Sequence, residues 1–435
     1  MLHRILTNSK NVNRSAYIWN MIASILAAAQ SMVMIFGASS LLGVAATAVI
    51  SLASAYTYTL STIGAFGMRR FHASDADRQY SQREYLWSRF ITVNAMFVIA
   101  AVFIVMKSWD PQSTPMKLGV IAILVLIRAV DCIDDVITGH FQQTGRLDIG
   151  SRITALRLVV CTLGFLVSLI ITRDLMLSLI ISFVLSLLVL AVLARSALQG
   201  YDPDRVRTVD RVKVWKLLWA CMPLFIWGFL GMYITNAPKF GIESAMEGIA
   251  QKQAQACYGI ISMPAFVISL LSGLVFHPII HSLSRQWLDR DLVGFGRTVT
   301  RISLVILGIT AACVTGGALL GLPILSLASP LVDLGGLELE LAILLLGGGF
   351  TAFSAFFSTV LTIMRRQLAA AVALGVAAAF GLTSHWWAQW QGLLGVCLLF
   401  LTMYALNTLI AGVLIWWTWR SRRFKGTPHS EASTT

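Results

Sequence analysis

Residues Ile153–Arg195 read ITALRLVVCTLGFLVSLIITRDLMLSLIISFVLSLLVLAVLAR, two apolar runs separated by the polar pair Arg173-Asp174. Each run holds about twenty residues, the length a helix needs at 1.5 Å per residue to cross about 30 Å of hydrocarbon. The pair reads as a membrane hairpin, and the pattern recurs on both sides of it. Toward the N-terminus, spans are expected near Ser15–Gly37, Leu41–Phe66, Leu86–Met106 and Leu118–Thr138, which with Ile153–Thr172 and Leu175–Leu193 make a first group of six. A second group follows near Leu217–Ile234, Ala256–Phe276, Ile302–Gly321, Leu341–Met364, Leu368–Thr383 and Gly392–Trp417. Met1–Arg14 carries Arg4, Lys10 and Arg14. The first apolar run exceeds a signal-peptide core and lacks a small-residue cleavage pattern, so it is expected to be a retained span.

Composition agrees. Of 435 residues, 57% are hydrophobic and 12% charged, against roughly 45–50% and about 25% in a soluble domain. Mean hydropathy is +0.77, spread along the chain rather than held in one block, so function is expected among the helices. The six cysteines lie inside apolar runs without paired spacing, and they read as small core residues. His277 and His281 share a helix face, but no third ligand lies near them in sequence; neither a metal nor a cofactor is expected.

Lysine and arginine set the expected orientation, because short basic loops stay on the cytoplasmic side. Of the 33 Lys and Arg, Lys107, Lys117, Arg173, Lys239 and Lys252 fall in outer segments, Arg128 and Arg157 fall within spans, and all others fall in inner segments. The alternation supports an even number of spans, with both ends expected in the cytoplasm. It also explains the net charge of +13 as a topology signal and an attraction to anionic membrane lipids, not to nucleic acid. Most tryptophans fall near span ends, where indole prefers the headgroup level; Trp227, inside span seven, is the exception. The longest inner loop, with its Asp202-Pro203-Asp204 turn, divides the chain into an N-terminal lobe (1–195), a cytoplasmic linker (196–213), a C-terminal lobe (214–419) and a basic tail (420–435) expected to be disordered.

The chain has no G-x-x-x-x-G-K-[ST] phosphate loop and no outer loop long enough for a catalytic domain. Neither an ATPase nor an enzyme is expected, which leaves secondary transport or flipping. A charge near the bilayer centre costs about 2.5–3.5 kcal/mol on insertion scales, and span four keeps Arg128, Asp131, Asp134 and Asp135. Arg128 lies about 15 Å from the outer end at 1.5 Å per residue. Arg128, Asp131 and Asp135 share one helix face, so Arg128 and Asp131 can pair along the helix. Arg157 enters span five at a depth that reaches Asp134 or Asp135. Two readings stay open: an ion-pair cluster that fixes helix packing, or the lining of a water-filled cavity with arginine for phosphate and carboxylate for a cation. Polar groups at Asn20, Gln30, Tyr56 and Tyr58, with Asn236-Ala237-Pro238-Lys239 closing span seven on the outer side, are further candidates, each of which can equally serve helix contact or anchoring.

Three blocks resemble the polysaccharide repeat-unit flippases of the multidrug, oligosaccharidyl-lipid and polysaccharide exporter (MOP) superfamily. The first is Gly67-Met68-Arg69-Arg70-Phe71, then Tyr80-Ser81-Gln82-Arg83-Glu84-Tyr85-Leu86 and Arg89. The second runs from Asp134-Asp135-Val136 through Gly139-His140-Phe141-Gln142-Gln143 and Gly145-Arg146-Leu147-Asp148 to Arg157. The third comprises Asn236–Phe240, Ser262–Ile268 and Phe276-His277-Pro278. Together they cover about the first two-thirds of the chain in order, which is more specific than any single motif.

The resemblance implies an all-α fold of about twelve spans in two six-helix lobes around a central cavity, alternating between inward- and outward-facing states in the bacterial inner membrane. It implies as substrate an undecaprenyl-pyrophosphate-linked oligosaccharide moved from the inner to the outer leaflet. A polysaccharide polymerase and glycosyltransferases are then expected partners, and a proton or sodium ion is an expected coupling cation. A diphosphate needs cationic ligands, since guanidinium binds phosphate oxygens in a fork. Arg69, Arg70, Arg89 and Arg157 are expected to gather it from the cytoplasmic leaflet and Arg128 with Lys239 to receive it, with Gln30 and Asn236 as polar contacts and Asp131, Asp134 and Asp135 as charge-compensating or ion-coupling groups. Two other readings stay open: a cation-coupled drug exporter of the same superfamily, against which span one carries no carboxylate, and a non-transporting scaffold of a polysaccharide-synthesis complex.

Overall fold

The computed structural model describes residues 7–9, 11–75, 77–111, 113–198, 209–276 and 279–424, and among these there is no strand. The middle of the expected linker (199–208), the pair His277-Pro278 and the tail after residue 424 lie outside the described residues.

Local signals explain where the helices begin and end. Helix α1 (Val12–Leu41) starts where the Asn11 side chain accepts from the Arg14 amide. It stops at Leu42, and Gly43 at φ 83° turns the chain into α2 (Val44–Ala65). A left-handed pair, Phe66 and Gly67, then starts the one-turn-plus α3 (Met68–Ser74). Gly67 is required twice over: its φ is +63°, and a Cβ there would lie 2.6 Å from the Leu224 Cβ. Helix α4 (Gln82–Ser108) opens on a capping box, with Ser81 accepting from the Glu84 amide and Glu84 accepting from the Ser81 amide. Helix α5 (Pro115–Gln143) begins with Thr114 as cap and Pro115 in the first turn. Then come α6 (Leu147–Thr172), ended by left-handed Arg173, and α7 (Leu175–Leu198).

The remaining helices are α8 (Arg211–Ala245), α9 (Gly248–Ile261), α10 (Met263–Phe276), α11 (Ile280–Leu288) and α12 (Leu292–Gly316), which runs through a π-turn at Gly317–Gly321 into α13 (Leu322–Ala328). They end with α14 (Glu338–Ile363), α15 (Gln367–Gly381) and α16 (Ser384–Phe424). Residues Asn236–Lys239 do not close span seven: α8 continues to Ala245 through Pro223 and Pro238. A proline inside a span loses one backbone bond, and neighbouring helices tolerate the kink. Helix α16 is broken at Gln391 and Gly392 (φ 57°), and it keeps the start of the expected tail, Arg420–Phe424, helical.

Among the described residues, ten helical stretches are long and apolar enough to cross a membrane. Two expected spans are missing from that set for physical reasons. Helix α5 has 29 residues but carries Arg128, Asp131, Asp134 and Asp135, and α15 has only 15 residues. The described residues thus form an all-helical, multi-pass membrane protein, with α5 and α15 standing where the basic loops call for two further crossings.

The chain forms two compact units: residues 1–239, 247–260 and 327–333 in the first, and 240–246, 261–326 and 334–435 in the second. In the first, α5 is the central helix, in contact with α2, α3, α4, α6 and α7. In the second, α14 holds that place, in contact with α10, α12, α15 and α16. Its Gly347-Gly348-Gly349 triplet lets three neighbours close in: added Cβ atoms would meet Phe400 of α16 at 2.7 Å, the Ala265 carbonyl oxygen of α10 at 2.7 Å, and Thr310 of α12. Small residues at such contacts are the usual means of packing helices in lipid.

Candidate functional site

The central position of α5 removes its charges from lipid and surrounds them with the helices that can answer them. The i, i+3 spacing works as the sequence requires: Arg128 Nη1 donates to Asp131 Oδ2 at 2.7 Å. The Arg128 guanidinium also lies 4.1 Å above the Tyr58 ring, and the Tyr58 hydroxyl is 2.5 Å from Ser31 Oγ. A cation on an aromatic face gains more when desolvated, and Arg128 is 8% exposed.

Arg157 reaches across from α6 and serves two carboxylates. Its Nη1 lies 2.9 Å from Asp131 Oδ1 and its Nη2 lies 3.0 Å from Asp134 Oδ2, while Nη1 also donates to Ser186 Oγ at 2.8 Å. Ser186 belongs to a row with Ser178 and Ser182, four residues apart on α7 and fully buried. Buried charges persist in apolar surroundings only when paired and hydrogen-bonded, and Arg157 has both kinds of partner.

Asp135, the last carboxylate of the row, has two partners. Its Oδ2 lies 3.1 Å from Arg89 Nη2, and its Oδ1 lies 3.6 Å from Arg69 Nη1. The two arginines differ: the Arg89 side chain is 3% exposed and that of Arg69 is 35% exposed. Arg89 also donates to the Gly64 carbonyl, as does Thr92 Oγ1 at 2.9 Å, so Arg89 secures the C-terminal end of α2 against α4. Four guanidinium groups thus meet three carboxylates, leaving one positive charge in excess.

Two cavities open on this cluster, both within the first compact unit. The inner one, about 280 Å³, is lined by Gln30, Tyr58, Arg69, Arg128, Asp131, Asp134, Asp135, Thr138, Thr154 and Arg157 among others. The wider one, about 450 Å³, is lined by Arg69, Arg70, Asp135 and Gln142 together with Gly67, Leu224, Phe225 and Gly228. Arg69 and Asp135 line both. Among the described residues no carboxylate lies in ion-pair reach of Arg70, whose guanidinium rests 4.6 Å above the Trp227 ring. Beside it Phe66 and Phe225 stack at 4.7 Å.

The structure therefore gathers Arg69, Arg70, Arg128, Arg157, Gln30 and the three aspartates around two adjoining cavities. Gln30 also donates to Cys161 Sγ at 3.2 Å. Arg89 touches the cluster only through Asp135 and lines neither cavity. Asn236 and Lys239 stand apart: Asn236 donates to the Met232 carbonyl of its own helix at 2.9 Å, and Lys239, 8% exposed, donates to the Ser51 carbonyl at 3.3 Å. Lys239 is thus buried rather than extended toward a headgroup. Sequence reading missed Ser186 and the link from Trp227 to Arg70. The serine row at i, i+4 and i+8 in an apolar span was the available signal for the first, and the mid-span tryptophan for the second.

No family model and no curated protein sequence matches the chain. Solved structures do match it along nearly its whole length. An inward-facing multidrug resistance MATE family transporter of the MOP superfamily superposes with a TM-score of 0.64 at 12% identity, covering 92% of this chain and 96% of that one. A MOP superfamily transporter from Pyrococcus furiosus gives 0.62 at 14% identity, covering 98% of both chains. The lipid II flippase MurJ in an inward closed conformation gives 0.66 at 12% identity, covering 94% and 90%. At such identities the likeness speaks for architecture, and the chain has the fold of MOP superfamily transporters.

Proposed function

We propose that this protein is a flippase of the bacterial inner membrane that moves a polyprenyl-diphosphate-linked oligosaccharide from the inner to the outer leaflet by alternating access. The observation that carries the reading is the arginine surplus on two adjoining cavities inside a helical unit with no nucleotide-binding motif. A diphosphate drawn from a headgroup layer needs fixed cations in a low-dielectric recess, while the polyprenyl tail can stay in lipid and the sugars can meet Gln30, Gln142, Thr138 and Thr154. Arg69 and Arg70 are the first ligands, Arg128 and Arg157 are deeper ones, and Arg89 positions Asp135. Lys239 and Asn236, bonded to backbone carbonyls away from both cavities, have no part in this arrangement. The aspartates compensate charge and are candidates for proton or sodium coupling. A glycosyltransferase would supply the substrate and a polymerase would consume it.

Reconstitution tests the reading. Proteoliposomes loaded with a fluorescent lipid-linked oligosaccharide are expected to expose it on the opposite leaflet faster than protein-free vesicles, and Arg128→Ala with Arg69→Ala is expected to slow this at least tenfold in protein that still folds. Absence of leaflet transfer by the folded wild-type protein would favour a scaffold. Efflux of organic cations without lipid transfer would favour drug export, which is weakened by the lack of an Asp or Glu in α1 and by the pairing of each aspartate on α5 with arginine.

A further inference from the structure

We infer that the wider cavity is an organic-phosphate site built on Arg69 and Arg70, and that Asp135 is its internal competitor, which an arriving anion displaces from Arg69. The inference rests on the anionic-substrate reading above and adds to it which arginines take the anion and what holds them until it comes.

The arginines of the cluster are not equally available. Arg128 and Arg157 are bound to Asp131 and Asp134 at 2.7–3.0 Å and are nearly buried. Arg89 is fixed between Asp135 and the Gly64 carbonyl. In this arrangement any of these could bind phosphate only by leaving a carboxylate or a helix terminus unsatisfied inside the protein, which is the expensive outcome, so they can act as ligands only after their ion pairs rearrange. Among the described residues Arg70 has no ion pair to give up, and its guanidinium rests on an aromatic face. Arg69 has one, at 3.6 Å, the longest separation in the cluster, and its side chain is the most open of the four ion-paired arginines. The two are adjacent at the start of α3 and line the same 450 Å³ cavity.

Asp135 makes the exchange inexpensive. It uses different oxygens for its two partners, Oδ1 for Arg69 and Oδ2 for Arg89. When a phosphate takes Arg69, Asp135 keeps Arg89 and is not stranded. The carboxylate thus mimics the anion while the site is empty, holding Arg69 at the boundary between the two cavities. An aromatic and aliphatic wall of Phe225 and Leu224, with Trp227 against the Arg70 guanidinium, suits a phosphate ester attached to an apolar or sugar group better than free phosphate.

The test uses the purified full-length protein in detergent, with inorganic pyrophosphate and farnesyl diphosphate as probes. Removing the competitor should tighten binding: Asp135→Asn is expected to lower Kd about tenfold, whereas Arg70→Gln and Arg69→Gln raise it by at least that factor. Asp131→Asn removes the same charge one turn away and is expected to change Kd less than threefold. Equal tightening by both aspartate variants would reduce the effect to bulk charge and overturn the proposal. Unchanged or weaker binding by Asp135→Asn would overturn the competitor while leaving the anionic-substrate reading intact. No binding of either probe by the wild-type protein would overturn both. Should the aspartate variant not fold, the wild-type protein still decides: mass-spectrometric mapping of phenylglyoxal labelling should show Arg69 and Arg70 protected by pyrophosphate and Arg157 indifferent to it. Protection elsewhere alone would refute the site.

Discussion

Arg157 is the single side chain on which most of the buried charge depends. It meets Asp131 and Asp134 on one neighbouring helix and Ser186 on another. Replacing it with alanine leaves Asp134 without its arginine in a nearly closed pocket, whereas Asp131 retains Arg128. Breaking one side of a buried pair costs about 3–5 kcal/mol in soluble proteins, so Arg157→Ala is expected to lower the thermal midpoint of the detergent-solubilised protein by at least 5–10 °C by the usual conversion of stability to melting shift. Adding Asp134→Asn should restore part of the loss, because the stranded charge is then removed. If the single variant melts with the wild type, the pair carries no stability. Much of this was legible in the sequence. The Arg128–Asp131 spacing fixes that bond, and the depth of Arg157 brings it to Asp134. The partners of Asp135 were not, because whether Arg69 or Arg89 faces it depends on the rotation of α3 and α4, which apolar periodicity in a lipid-surrounded helix does not define.

At the level of elements, the two central helices are built by opposite means. Helix α5 is held by ion pairs, and α14 by the absence of side chains at Gly347, Gly348 and Gly349. Ionic contacts tolerate small displacements, whereas a backbone approach filled by no atom beyond Cα does not. Gly348→Val would drive a Cβ to 2.7 Å from the Ala265 carbonyl oxygen, so it is expected to abolish the monodisperse peak in detergent size-exclusion chromatography. Gly375→Ala on α15 adds a Cβ with nothing within 4 Å and should elute as the wild type. A Gly348→Val protein that remains monodisperse with an unchanged melting point would show that α10 and α14 can part freely. Sequence reading announced α14 as a span but gave no neighbour for its glycines, since contact between distant helices is a matter of tertiary packing. The start of α4 was the reverse case. Ser81-Gln82-Arg83-Glu84 belongs to a block that resembles flippases, and in the fold it is first of all a capping box, so that part of the likeness reports a helix start as much as a function.

For the molecule as a whole, the helices of the structure and the sequence count the crossings differently, and the difference is informative. Apolar length selects ten helical stretches. The alternation of basic loops demands two more, α5 and α15, one disfavoured by its charges and the other by its 15 residues. Helix α5 can cross because the charges that spoil its hydropathy are answered by Arg69, Arg89 and Arg157 from the helices around it. At 1.5 Å per residue α15 spans only about 22 Å, and a short helix can cross where the bilayer thins or its neighbours shield its ends. Alkaline phosphatase fusions, active only outside the cytoplasm, test both. Fusions after Asp110 and Thr383 are expected to be active, and those after Arg146 and Arg366 inactive. Activity after both Asp110 and Arg146 would mean that α5 does not cross. The charge cluster would then lie at one membrane face, and with it would go the argument for a cavity that carries an anion through the bilayer.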